Sequence, residues 1–300
     1  MAVSCPTPRP PQRFQAEADP TEKHYREAMT FSIVARSGDG SLGVAVASKF
    51  LAVGSAVPAA RLGLGAIATQ SFCNTLYKRD GLERLAAGAS ATETMEALLA
   101  ADEQRETRQA GIVDAAGAAA TWTGAECLDW AGGVTGDGYA IQGNILTGPD
   151  VVDAMQQAFL DLREEPLPER LLGALEAGDD AGGDSRGRQS ASLLVVSPTG
   201  SYTPGDDLAY DLRVDDHSDP CGELRRLLEL HHVFFDRPSD EDVLPLEGAV
   251  AEEVQRHLTA LGYPDLDTWA GVENYELRMV ENGIDIVVLE RLRGQVAGQA

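Results

Sequence analysis

The run MTFSIVAR at Met29–Arg36 puts a threonine directly after a methionine and at the head of an alternating apolar stretch. If translation starts at Met29 and the initiator methionine is trimmed, Thr30 becomes the first residue. A terminal threonine carries a nucleophile and a base together: its hydroxyl can attack an amide carbonyl while its own α-amine takes the proton. The reference pKa of an α-amine, about 7.7 to 8.0, leaves a usable neutral fraction at neutral pH. An internal threonine has no such amine, and it opens strands for its β-propensity alone. Asn144, in Gln142-Gly143-Asn144, is a candidate oxyanion donor, since an amide N–H aimed at developing charge needs no proton transfer; the alternative is an asparagine capping a turn at a strand end. Gln70, Asn74, Gln142, Gln189 and Ser190 could complete a polar, substrate-binding pocket. Asp184 and Arg186, in a glycine-rich run, either recognise a substrate carboxylate or pin their own loop.

These residues need strands and helices to bring them together, and the pattern supplies both. Residues 30–35 alternate, Ser37-Gly38-Asp39-Gly40 supplies turn residues and Leu42–Ala47 is a second apolar run, which together predict a β-hairpin. A third strand is expected at 66–70, two short ones at 110–114 and 118–123, and further strands at 139–146, 191–197 and 208–214. Ser90-Ala91-Thr92-Glu93 has the spacing of a capping box, and Met95, Leu98 and Leu99 continue at helical spacing, predicting a helix over 91–101. Helices are also predicted at 76–87, over the face formed by Val151, Met155, Ala158, Phe159 and Leu162, and at 167–177. Helix pairs inserted between antiparallel strand pairs fit an α+β sheet sandwich covered by helices rather than a doubly wound parallel sheet.

The segments LGVAVASKFLAVGSAVP, GAIATQSFCN, YAIQGNILTGP, GGDSRGRQSASLLVV and DLRVDDH, in this order, resemble a widespread bacterial and archaeal family of unknown function (DUF1028) placed in the N-terminal-nucleophile (Ntn) hydrolase superfamily. The resemblance covers residues 29–235 and implies a four-layer αββα sandwich of antiparallel sheets. It also implies that Lys49, a lysine within an apolar run, sets its ammonium beside Thr30 and lowers the pKa of the hydroxyl or amine. The competing account of Lys49 is an edge position whose stem packs while the charge reaches water. Ser190 resembles the supporting serines near the nucleophile in related hydrolases.

A net charge of −24 argues against binding a nucleic-acid backbone or an anionic membrane surface. No stretch is long and apolar enough to span a bilayer. Cys5, Cys73, Cys127 and Cys221 are scattered without C-x-x-C spacing, so reduced thiols and a cytoplasmic protein are expected, with Cys73 near the pocket. Asp215, Asp216 and His217 could bind a divalent metal or form an ion-pair cluster around Arg213; neither metal nor cofactor is expected. Residues 1–28 have no apolar signal-peptide core and are expected to be a disordered extension. They represent an over-long start, a propeptide or a tail that disables N-terminal chemistry.

Residues 245–293 resemble the peptidoglycan-binding-like domain often appended to this family, so a small, mainly helical domain is expected over 245–300, after a sandwich over 29–236. Val254, Leu258 and Leu261 keep helical spacing before Gly262, and Trp269, Tyr275 and Leu277 can supply a core. The function implied is an amidohydrolase acting through Thr30 on a small-molecule or peptide-like substrate, in a homo-oligomer. The alternative is a non-catalytic ligand-binding or assembly protein that retains the fold.

Overall fold

The computed structural model describes residues 30–299; the expectations for residues 1–28 and for Cys5 lie outside the described residues. Alternation from Thr30 gives β1 (Thr30–Arg36), and the Ser37–Gly40 turn returns the chain as β2 (Leu42–Ser48). A single helical turn, α1 (Val53–Ala56), leads to β3 (Pro58–Arg61) and β4 (Gly65–Ser71). Helices α2 (Leu76–Ala86) and α3 (Ala91–Ala100) follow. The capping box at the start of α3 is formed: Ser90 Oγ accepts from the Glu93 N–H, and the Glu93 carboxylate accepts from the Ser90 N–H.

Strands β5 (Arg108–Asp114), β6 (Ala119–Thr123), β7 (Gly132–Gly136) and β8 (Tyr139–Asn144) come next. Then come α4 (Asp150–Asp161), α5 (Leu167–Asp180), β9 (Ser190–Val196), β10 (Leu208–Val214) and α6 (Pro220–Phe235). The strands form two antiparallel sheets, in the orders β10-β9-β2-β1-β8-β7 and β3-β4-β5-β6.

Strand parity explains the layers. On β1, Phe31, Ile33 and Ala35 join the core beneath α4, α5 and α6, whereas Val34 packs with Leu42, Val44, Val46, Ala66, Ala68, Val113 and Ala140 between the sheets. Ile67, Ala110 and Ile112 face the opposite way, onto α2 and α3. The result is the α+β sandwich that the pattern of elements predicts, in the four layers, αββα, that the family resemblance implies.

The rest of the chain is a helical module with its own core: β11 (Val243–Pro245), α7 (Gly248–Leu261), α8 (Leu266–Glu273), β12 (Gly283–Asp285) and α9 (Ile286–Gln299). Gly262 ends α7 in the left-handed region, φ 83°, where a Cβ would be strained. The core centres on Trp269, Leu258 and Leu292 and takes in Val233 from α6, so it begins before residue 245. Arg278 ties the module to α6: its guanidinium donates to Val233 O, His232 O and Asp285 Oδ2, each at 2.6 Å.

Candidate active site

At one end of the sandwich the space between the sheets is polar. Register sets Thr30 of β1 opposite Asn144 of β8, while Phe31 opposite Ala47 carries Thr30 alongside Ser48 of β2, and Ser48 lies opposite Ser190 of β9. Asn144, Thr30, Ser48 and Ser190 therefore form one row across four strands, all buried. The Thr30 and Ser48 hydroxyls are 3.2 Å apart.

Behind this row the side-chain amides close a network whose orientation follows from its donors and acceptors. Gln142 Nε2 donates to Ser32 Oγ at 2.7 Å, and Ser32 Oγ donates to Gln70 Oε1 at 2.6 Å. Gln70 Nε2 donates to Gln109 Oε1 at 2.8 Å and to Thr30 O at 3.2 Å. Asn144 Nδ2 donates to the same two acceptors, at 2.9 Å and 3.4 Å. Gln109 Nε2 reaches Gly143 O at 2.7 Å and Thr123 Oγ1 at 2.9 Å. Gly111 makes room for this layer, because a Cβ there would lie 2.1 Å from Gln142 Oε1. The Asn144 amide hydrogens thus point at internal carbonyls, and its Oδ1 is a buried acceptor without a partner among the described residues.

A cavity of about 450 Å³ opens beside the row, with Thr30, Gln70, Ser71, Gln104 and Arg108 among its polar lining and Phe50, Val53, Ala56, Val57, Phe72 and Cys73 as its apolar walls. Burial pushes the Cys73 thiol up, so it stays protonated at neutral pH and unsuited to nucleophilic work. Backbone strain concentrates here. Among the described residues, Ala52, Ser71 and Ile145 are the positive-φ residues other than glycine and asparagine, at 53°, 61° and 53°. Each follows closely on a site residue: Ala52 within the segment after Lys49, Ser71 after Gln70, Ile145 after Asn144. A left-handed residue with a Cβ costs roughly 1–2 kcal/mol, and such conformations gather at functional sites.

The other candidates have definite places. The Lys49 ammonium, in place of a bond to Thr30, donates to Arg188 O at 3.1 Å on an exposed turn just past the end of β2. The Lys49 N–H donates to Asp184 Oδ2 at 2.7 Å, and Asp184 Oδ1 accepts from the Arg186 N–H at 2.9 Å. Arg186 completes an ion pair with Asp184 at 3.3 Å, so this pair pins the loop against residue 49. Ser190 Oγ donates to Phe50 O and accepts from the Val53 N–H at 3.0 Å, fixing the cavity wall from behind.

Asn74 lies outside the lining: its Nδ2 donates to Asp102 Oδ2 at 3.0 Å and its Oδ1 accepts from the Leu76 N–H. Gln189 donates to Asp216 Oδ1 at 3.1 Å. Arg213 is held by Asp211, and His217 Nδ1 lies against the Asp219 backbone. Among the described residues no cluster of three or more His, Cys, Asp or Glu is arranged to hold a metal ion. Among the described residues no helix is long and apolar enough to cross a membrane.

Ser32, Ser48, Gln109 and Arg108 complete the site without having been singled out from the sequence. The sequence did carry a signal for Gln109. In QAGIVD, Gln109, Gly111 and Val113 share a face, which makes the glutamine a polar residue on an inward stripe.

The fold and site define an αββα sandwich with a threonine-headed strand at a strained, polar cavity end. Residues 30–224 match the model of the "Family of unknown function (DUF1028)", and the chain belongs to that family. Residues 234–292 match the model described as "Putative peptidoglycan binding domain", which starts within the last turn of α6. No curated protein matches the chain. Among solved structures, the crystal structure of protein SPO2555 from Silicibacter pomeroyi, a DUF1028 protein, is similar to it, with 30% identity and a TM-score of 0.61. The match covers 75% of this chain and 92% of that one.

Proposed function

We propose that the protein is an Ntn-type amidohydrolase whose nucleophile is Thr30, acting on a small amide or peptide-like substrate once Thr30 is the first residue. The observation that carries this is the place of Thr30. It heads β1 directly after Met29, its carbonyl is gripped by Gln70 and Asn144, and it lies in the wall of a cavity that the positive-φ residue Ser71 also lines. A fixed carbonyl and a β-ladder leave the hydroxyl little freedom, which is the preorganisation a nucleophile needs.

In this mechanism the α-amine takes the hydroxyl proton as Oγ1 bonds to the substrate carbonyl carbon. The C–N bond then breaks and the departing amine takes that proton, leaving an ester on Thr30. Water, deprotonated by the α-amine, attacks the ester; the acid leaves and Oγ1 regains its hydrogen. With residue 29 still attached, Thr30 has a peptide nitrogen and no base.

Intact mass of protein expressed from the native gene tests the first requirement: the chain should begin at Thr30. A chain that retains residues before Thr30 and still hydrolyses amides would exclude this mechanism.

A further inference from the structure

We infer that the cavity beside Thr30 accepts an uncharged, apolar acyl group, so that the substrates are amides whose acyl portion carries no carboxylate. The inference rests on the proposed role of Thr30 for the word substrate, but the selectivity itself is a property of the cavity. Its walls are Phe50, Val53, Ala56, Val57, Phe72 and Cys73, and Arg108 is the sole charged residue in the lining among the described residues.

An arginine in an apolar pocket ordinarily invites a carboxylate, yet this one is already engaged. Its Nε donates to Asp102 Oδ2 at 3.0 Å, one terminal nitrogen to Phe72 O at 2.7 Å and the other to Gln104 Oε1 at 2.7 Å. Both side chains of the Arg108–Asp102 pair are about nine-tenths covered. Burial alone would raise the Asp102 pKa, but hydrogen bonds from Arg108, Asn74, the Gln104 N–H and Tyr77 hold it at about 2, so its charge cancels that of Arg108 at any physiological pH. The half-buried Cys73 thiol, its pKa raised by burial, adds no charge.

A substrate carboxylate would thus enter a mostly apolar space whose lining side chains offer no unpaired charge, a costly transfer, in a protein that already carries −24; the Lys78 ammonium, outside the lining, donates to Ser55 O at 3.0 Å. Asp184 and Arg186, the other pair able to meet a carboxylate, are spent on each other and on the Lys49 backbone. A volume of about 450 Å³ lies toward the small end of the roughly 300–1,000 Å³ typical of ligand pockets. It suits a medium alkyl or aryl acyl group.

The test is calorimetric titration of the full chain, and of its Thr30→Ala variant, with octanamide and phenylacetamide against octanoate and phenylacetate at pH 7. Each neutral amide should bind at least about tenfold more tightly than its carboxylate, a modest floor for an uncompensated charge. Ala56→Phe, which fills the cavity, should abolish amide binding at an unchanged thermal midpoint; Cys73→Leu serves the same purpose if that midpoint falls.

Carboxylates that bind as tightly as the amides would overturn the inference. So would amides that fail to bind at a few millimolar, or binding that survives both cavity-filling variants at unchanged midpoints. The Thr30 chemistry fails separately. Selective amide binding without turnover by the Thr30-first chain would leave the cavity inference standing and remove the nucleophile, whereas turnover of carboxylate-bearing acyl amides would do the reverse.

Discussion

Replacing Gly111 by alanine tests the inter-sheet amide layer on which the position of Thr30 depends. The new methyl would sit 2.1 Å from Gln142 Oε1, 2.7 Å from its Cδ and 2.8 Å from its Nε2, so the carboxamide must leave. It would give up its bond to Ser32 Oγ and the one accepted from Thr121 Oγ1, each worth about 1 kcal/mol net. A buried polar group stranded without partners costs a further 1–3 kcal/mol or so. The strand preference for alanine over glycine returns roughly 0.5–1 kcal/mol. The net expectation is a loss of about 3 kcal/mol, or a fall in thermal midpoint of roughly 6–12 °C. Urea unfolding followed by tryptophan fluorescence would measure it, in a cycle with Gln142→Ala. The three atoms nearest the methyl all belong to that carboxamide, so the double variant should cost about as much as Gln142→Ala alone, with a coupling of about 2–3 kcal/mol. A Gly111→Ala cost under about 0.5 kcal/mol, or strictly additive costs, would show that the carboxamide does not occupy this site.

Ser190→Ala removes the acceptor for the Val53 N–H and the donor to Phe50 O; it should cost about 1–2 kcal/mol and raise amide exchange at Val53, seen by hydrogen exchange. Asp102 has a depressed pKa, so its stabilisation is present above about pH 4 and fades as pH falls toward about 2. Asp102→Asn should therefore flatten the stability profile across that window and cost about 2 kcal/mol at pH 7, as read by urea unfolding. His232 has a raised pKa, from its hydrogen bond to Asp236 and the nearby Glu169, so its contribution is full below about pH 6.5 and is lost as pH rises through the folded-state value. His232→Asn should remove a decline in thermal midpoint on the alkaline side of pH 6.5; an unchanged slope would show that the pair carries no linkage.

Much of the sandwich was legible because its strands alternate cleanly and its helices carry local signals such as the Ser90 box. Strand β7 was not anticipated, since GGVTG is three-fifths glycine and has no apolar alternation, and β3 is four residues opened by a proline. Thr30 could be chosen from the sequence because it follows Met29 and opens a strand, and Gln70, Gln142, Asn144 and Ser190 as polar residues at strand positions. Their partnership with Gln109, Ser32 and Ser48 needed the register between strands far apart in the chain, which periodicity alone does not carry. Lys49 misleads because the apolar character of β2 continues through a turn into α1. The strand itself stops at Ser48, so the lysine sits on the exposed turn beyond it. Asn74 lies beside the cavity in sequence terms, but it serves the Asp102–Arg108 cluster and the start of α2.

The most direct test of the central claim compares two forms of this chain on amides with apolar acyl groups: one started at Met1, the other started at Met29 and trimmed so that Thr30 is first. Only the second has an α-amine beside the hydroxyl, and general-base assistance is worth a factor of about 10² to 10⁴. With equal thermal midpoints, the Thr30-first form should hydrolyse the amide and show an acyl mass adduct on its first residue, while the long form stays inactive. Equal turnover by both forms, with mass spectrometry confirming that the extension is intact, would contradict it.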